Sequence, residues 1–329
     1  MSPTIETETL PVAATGSPPS PGMVWIPAGT YRMGSDSHYP EEAPAHHVRV
    51  DGFWMDESPV TNAQFRRFVE ATGYVTVCED APDVASYPEA DPSMLVAASI
   101  VFVRPTHAVD LRDPYRWWQL VPGANWRHPQ GPGSSLDGRG DHPVVHVAFS
   151  DVEAYARWAA KEVPTEAEWE WAARGAGGET EFAWGDELAP GGRHLANTWQ
   201  GEFPWQNLAE DGHVGTSPVG AYPPNGYGLR DMIGNVWEWT CDWYSRRHPQ
   251  PSSRACCIPD NPRGGARDAS CDTTENIRIP RKVMKGGSHL CAPNYCQRYR
   301  PAARMSQPVD TSTSHLGFRC IIRRSASEG

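Results

Sequence analysis

The chain is predicted to be an α+β protein, a single domain with little regular secondary structure. Three observations carry that expectation. Its 329 residues include 30 glycines and 32 prolines, which interrupt helix and strand periods alike. Helix start and stop signals occur only before residue 176. Neither a repeat at fixed spacing nor a linker between two composition types is visible. The expected division is a disordered tail over residues 1–22, one domain over 23–323 and a short tail over 324–329.

Taken in order, Val24 to Asp56 alternates and is broken by Gly and Pro, as in short strands joined by turns. Thr61 then offers an N-cap with Gln64 three positions on. Phe65, Phe68 and Val69 share a face, and Gly73 is a stop. Residues 80–115 are rich in Pro and Asp and read as a long surface excursion. Ser150 with Glu153 forms a second capping signal, followed by Tyr155, Ala156 and Ala159. Thr165 with Glu168 forms a third, with Trp169, Ala172 and Ala173 behind it and Gly175 as the stop. Beyond 176, strands and turns such as Pro224-Asn225-Gly226 carry the chain. The 14 tryptophans cluster, and about three quarters of them are expected in the core, the rest lining a groove.

A net charge of −11 argues against a nucleic-acid or acidic-membrane partner. No run of eighteen apolar residues predicts a membrane span. The first twenty-one residues lack the apolar stretch of a secretion signal, so a cytoplasm with reduced thiols is expected for the eight cysteines.

Among those cysteines, Cys291 and Cys296 stand five apart with Pro293 between them. Proline excludes a helix there, so a loop or bent segment aims both thiols at one point. Spacing alone leaves a structural disulfide, two inert thiols or a thiolate metal site open. Two thiolates suit an ion with few soft ligands, of which Cu(I) is the natural candidate.

The residues from Gly286-Gly287-Ser288-His289-Leu290-Cys291 through Arg304, with Gly317-Phe318-Arg319-Cys320, resemble the signature of the formylglycine-generating enzymes, or sulfatase-modifying factors. The stretches Met23–Gly34, Val163–Glu170 and Gly234–Trp239 extend the resemblance to nearly the whole chain. It implies a fold related to C-type lectins. It also implies an O2-dependent oxidase that converts the cysteine of a Cys-x-Pro-x-Arg segment in an unfolded sulfatase to Cα-formylglycine. Cys291 and Cys296 would hold Cu(I), with Ser288 and Tyr295 orienting oxygen species or the peptide, and a thiol would act as reductant. A bacterial, cytoplasmic monomer is expected.

Two Ca2+ ions are also implied. The first would take the Asn197 and Asp211 side chains with the Thr198 and His213 carbonyls. The second would take Asp231 and Glu238 with the Gly234 and Val236 carbonyls. Spacing alone reads these carboxylates equally as solvated surface groups. The chain also departs from the family's pattern. Disulfide partners would fall at Ala156, opposite Cys320, and at Pro301, so neither bridge can form. No carboxylate near Val101–Val103 matches the acid that takes the substrate arginine, which leaves Asp80, Asp83 and Glu89 as substitutes. The adjacent Cys256 and Cys257 have no functional account.

Two other classes fit the sequence less well. A non-haem iron sulfoxide synthase needs His-x-x-x-His-x-Glu, whereas His142 and His146 are followed by Ala148, in a segment read as a strand. A non-catalytic ligand-binding member of the fold would need no paired cysteines. Analysis for bound Cu(I) separates it from the oxidase.

Overall fold

The computed structural model describes residues 16–84, 87, 91–250, 258–272 and 278–324. Glu89, Cys256, Cys257, residues 1–15 of the N-terminal tail and 325–329 lie outside them.

The α+β expectation holds. The first stretch forms four strands, β1 (Met23–Ile26), β2 (Gly29–Met33), β3 (His46–Val50) and β4 (Phe53–Asp56). In β3 every second residue is buried, as a sheet with one wet face requires. β4 is buried at all four positions, because it lies central in an antiparallel sheet between β1 and β11 (Ile321–Arg323). The two ends of the domain thus meet in one sheet.

Helix α1 (Asn62–Thr72) has both halves of its capping box. Thr61 Oγ1 accepts from the Gln64 amide at 3.3 Å, and Gln64 Oε1 accepts from the Thr61 amide at 2.8 Å. Gly73 ends it at φ 67°, the left-handed conformation that costs glycine least. Helix α3 (Glu166–Arg174) is capped by Thr165 and Glu168 and stopped at Gly175, as the sequence predicts. The turn at Asn225 also serves α3, since its Nδ2 donates to the Ala172 and Ala173 carbonyls in the helix's last turn, where the Gly175 amide also meets Ala172 O.

Four expectations need correction. Helix α2 (Phe149–Trp158) starts before Ser150, and its cap is the Asp151 carboxylate, which accepts from the Ala148 amide at 2.8 Å. The excursion over 80–115 contains a strand, β5 (Ala98–Phe102), paired antiparallel with β6 (Trp118–Pro122). The segment from His142 to His146 joins no sheet; it touches α1's cap through a single bridge between Thr61 and Pro143 and turns left-handed at His146. Seven of the fourteen tryptophans are buried, fewer than expected; of the others, Trp118, Trp171 and Trp184 pack half-exposed against the core clusters.

No α-helix follows Arg174 among the described residues. The second sheet runs β10 (Leu316–Gly317), β7 (Trp237–Trp243), β8 (Arg281–Lys285) and β9 (Arg304–Pro308). Its last pair, Lys285 opposite Arg304, closes the base of the loop over 286–303. Both cations reach α3: Lys285 Nζ lies 2.9 Å from Glu170, and Arg304 grips Glu166 at 2.6 and 2.9 Å. All four side chains are buried, so the loop that carries the cysteine pair is anchored to a helix by ion pairs out of reach of water.

Candidate active site

Two glycines let that loop fold back on itself. Gly286 and Gly287 have φ of 92° and 71°. A Cβ on Gly287 would stand 2.7 Å from the Arg298 carbonyl of the returning arm, so only glycine lets the arms touch there. Past them, the Cys291 amide donates to Ser288 O at 2.9 Å and the Ser288 amide points to Cys291 Sγ at 3.4 Å. Around Pro293 the amides of Tyr295 and Cys296 both donate to Ala292 O, at 3.1 and 2.9 Å. This turn returns the second cysteine to the first, and the two Sγ atoms lie 3.3 Å apart.

The two thiols are not equivalent. Cys291 is buried, and burial pushes its thiol well up. Cys296 is half-buried. The Cys291 hydrogen bond holds its thiol below the usual range, against the opposing effect of burial and with help from Arg298. Of the two, Cys296 is therefore the readier to lose its proton. Arg298 Nη1 stands 3.9 Å from Cys296 Sγ, and the same guanidinium binds Glu41 at 2.5 Å and covers the Tyr39 ring at 3.7 Å.

Ser288 and Tyr295 also fall at this centre. Ser288 is buried and its Oγ accepts from the Leu290 amide at 3.2 Å. Tyr295 is exposed and stacks on Phe203 with ring centres 4.6 Å apart, its edge meeting Trp117. Arg298 was missed from the sequence. Its only signal was an arginine two positions after a cysteine, while Tyr39 and Glu41 come from the other end of the chain.

The sulfurs form a soft donor set, and among the described residues no group of three or more His, Cys, Asp or Glu side chains is placed to hold a metal. That suits an ion content with two thiolates and disfavours a four-ligand zinc site. Both iron-candidate histidines are otherwise engaged. His146 is buried with Nδ1 on Ser99 Oγ and Nε2 on Pro129 O, and His142 Nδ1 meets Thr216 Oγ1.

The calcium candidates fall in two adjoining groups joined by the Asn235 amide donating to Asn197 O at 2.8 Å. In the first, Asn197 Nδ2 donates to Gly215 O, and Gln200 ties the Thr198 carbonyl to the Asp211 amide. Asp211 accepts from the His213 amide and the Tyr222 hydroxyl, each at 2.9 Å. In the second, Asp231 accepts from the Gly220 amide at 2.7 Å, and burial pushes its carboxyl up. Glu238 meets the Arg319 fork and Trp169 Nε1. These are hard oxygen donors, most on tight turns, with Gly234 at φ 76°, Val236 two positions on and Glu238 at the start of β7. They fit Ca2+ chemically, although Arg319 competes for Glu238.

Asp80 and Asp83 are exposed and neither lines the cavity beside Phe102. Cys320 is a free, buried thiol in the same core cluster as Ala156.

Residues 8–324 match the sulfatase-modifying factor enzyme 1-like domain. The chain belongs to that family. It is 53% identical to the formylglycine-generating enzyme of Mycobacterium tuberculosis, over 91% of this chain and 97% of that protein. It is 45% identical to the formylglycine-generating enzyme of Thermomonospora curvata, covering 91% and 92%. The inactive C-alpha-formylglycine-generating enzyme 2 of Mus musculus is 36% identical, covering 93% and 87%, so family membership alone does not decide activity. Among solved structures, PvdO from Pseudomonas aeruginosa shares the fold, with a TM-score of 0.57 at 23% identity over 92% and 94% of the two chains.

Proposed function

We propose that this sulfatase-modifying factor converts the cysteine of a Cys-x-Pro-x-Arg segment in an unfolded sulfatase to Cα-formylglycine. The observation that carries the reading is the Cys291–Cys296 pair, 3.3 Å apart, with one sulfur buried and the other half-buried. The close similarity to named formylglycine-generating enzymes supports the substrate class.

Per turnover one O2 takes four electrons. Two come from the substrate carbon and two from a thiol reductant, giving the aldehyde, H2S, a disulfide and water. Cu(I) on Cys291 and Cys296 would supply a soft position for the substrate thiol and redox contact with O2. The chain's own residues prepare that position. Arg298 stabilises the Cys296 thiolate, the Ser288 amide points at Cys291, and Tyr295 with Phe203 walls the site for the peptide. The test is mass spectrometry of a Cys-x-Pro-x-Arg peptide incubated with copper-loaded protein, O2 and dithiothreitol. The thiol-to-aldehyde mass change is expected, and an unchanged peptide with the copper-loaded protein rejects the reading.

Two Ca2+ ions would tie the turns behind this loop, held by Asn197, Thr198, Asp211 and His213, and by Asp231, Gly234, Val236 and Glu238. With so little regular structure, such ligands would add stability in proportion to their binding. Chelator should lower the melting temperature of the wild type, and by less in Asp231→Ala, which keeps only the first site, at equal protein concentration. Equal melting of the wild type with and without chelator counts against structural calcium.

A further inference from the structure

Beside the cysteine loop lies a cavity of about 420 Å3 whose wall is shared with that loop. His289 lines it two positions before Cys291, and Trp199, also lining it, donates its amide to Cys291 O at 3.0 Å. Phe102, also in the lining, meets Trp199 edge-on and stacks on Phe203, which in turn stacks on Tyr295. A peptide that presents its cysteine to the pair therefore has this cavity as a neighbour along its path.

The lining has an unusual charge. Arg104 and Arg139 both line the cavity, both are exposed, and neither guanidinium has a hydrogen bond or ion pair among the described residues. No Asp or Glu is among the lining residues. Nearby in the chain, by contrast, Arg112, Arg116 and Arg127 each have a carboxylate partner.

A second observation points to a ligand. Asn62 is buried and lines the cavity. Its Nδ2 is fixed on Arg139 O at 2.9 Å, while its Oδ1 has no hydrogen-bond partner among the described residues. The indole N–H of Trp199 is likewise buried without a partner. A buried acceptor and a buried donor left open are costly unless something occupies the site.

We propose that this cavity anchors the substrate segment by an acidic side chain held between Arg104 and Arg139, with a peptide N–H donating to Asn62 Oδ1. Two unpaired guanidinium groups repel a substrate arginine, so the arginine of Cys-x-Pro-x-Arg lies elsewhere and the cavity selects a different position of the chain. The proposal deepens the proposed function and rests on it for the identity of the peptide.

The probe is a fluorescein-labelled peptide with serine in place of the reactive cysteine, so that binding is read without turnover. A single Glu is walked through the positions flanking the Ser-x-Pro-x-Arg core, with Gln in parallel, and anisotropy is followed at low and high salt. At one position Glu should bind about tenfold more tightly than Gln, an advantage of about 1.4 kcal/mol that shrinks with salt. It should vanish in the R104A/R139A double variant and turn into a preference for Lys in R104E/R139E. Equal binding of Glu and Gln peptides at every position overturns the proposal, as does a Glu preference that survives in R104A/R139A. If the Glu preference appears but copper-loaded protein leaves a cysteine peptide unconverted, the oxidase reading fails and the acidic anchor stands. Conversion with no Glu preference gives the reverse.

Discussion

Cys291 Sγ and Cys296 Sγ lie 3.3 Å apart because the amides of Tyr295 and Cys296 share the Ala292 carbonyl. One buried sulfur and one half-exposed sulfur make a two-thiolate site open on one side. A single thiolate cannot hold Cu(I) tightly in a site with so few ligands. Cys291→Ser and Cys296→Ser should therefore each abolish tight Cu(I) binding in competition with a chromogenic chelator. Wild-type affinity in either variant would end the copper assignment.

What could be read from the sequence was local. The capping boxes of α1 and α3 rely on contacts three residues apart, and Pro293 alone forces the turn between the cysteines. What escaped depends on distant partners. β5 is a strand because it pairs with β6, and a Pro- and Asp-rich flank hid it. Asp151 caps α2 while also accepting from the Tyr74 hydroxyl and the Val77 amide, so its role is fixed from outside the helix. At the site, Glu41 and Tyr39 reach Arg298 across more than 250 residues. No spacing rule connects them.

The anchor of the cysteine loop predicts a large stability effect. Glu170 meets both Lys285 and Arg174, and all three are buried. Glu170→Gln leaves two buried cations short of a partner, which should cost about 3–5 kcal/mol in a denaturant titration at pH 7. These cations hold its carboxyl down at about 2, against the burial that would raise it. A carboxyl lowered in the folded state contributes stability that is present above about 4.5 and lost as pH falls through about 2. The gap between wild type and variant should narrow over that window. Equal midpoints at pH 7 would refute the clamp.

His146 predicts a second pH effect with the same sign. It is buried, neutral and doubly hydrogen-bonded, and burial pushes its pKa down to about 4. Its unfolded value is about 6.5, so its share of stability is whole above that pH and is lost as pH falls toward 4. Between pH 7 and 5 this amounts to about 2 kcal/mol. His146 has φ 60°, a conformation that asparagine tolerates, so His146→Asn keeps the backbone. His315, pushed down to about 3 by burial and by its neighbours His289 and His146, still titrates in that variant. The stability lost between pH 7 and 5 should thus be about 2 kcal/mol smaller in His146→Asn than in wild type. An identical loss in both proteins would show that His146 is not held neutral.

The inequality of the two thiols also bears on their oxidation. In air, peroxide formed from O2 can oxidise the Cys296 thiolate to a sulfenic acid, and the Cys291 sulfur, 3.3 Å away, then displaces its oxygen as water to close the disulfide. Metal-free protein purified in air should accordingly contain a fraction of Cys291–Cys296 disulfide. Such protein should be inactive until reductant and copper are both supplied. A structural bridge predicts the opposite, because opening it would loosen the loop between β8 and β9. Peptide mapping and peptide-oxidation activity, before and after dithiothreitol with copper in both arms, separate the two. Activity that rises as the disulfide opens supports the copper-thiolate site. Activity that falls as the bridge opens would make these cysteines a structural staple and remove the copper site built on them.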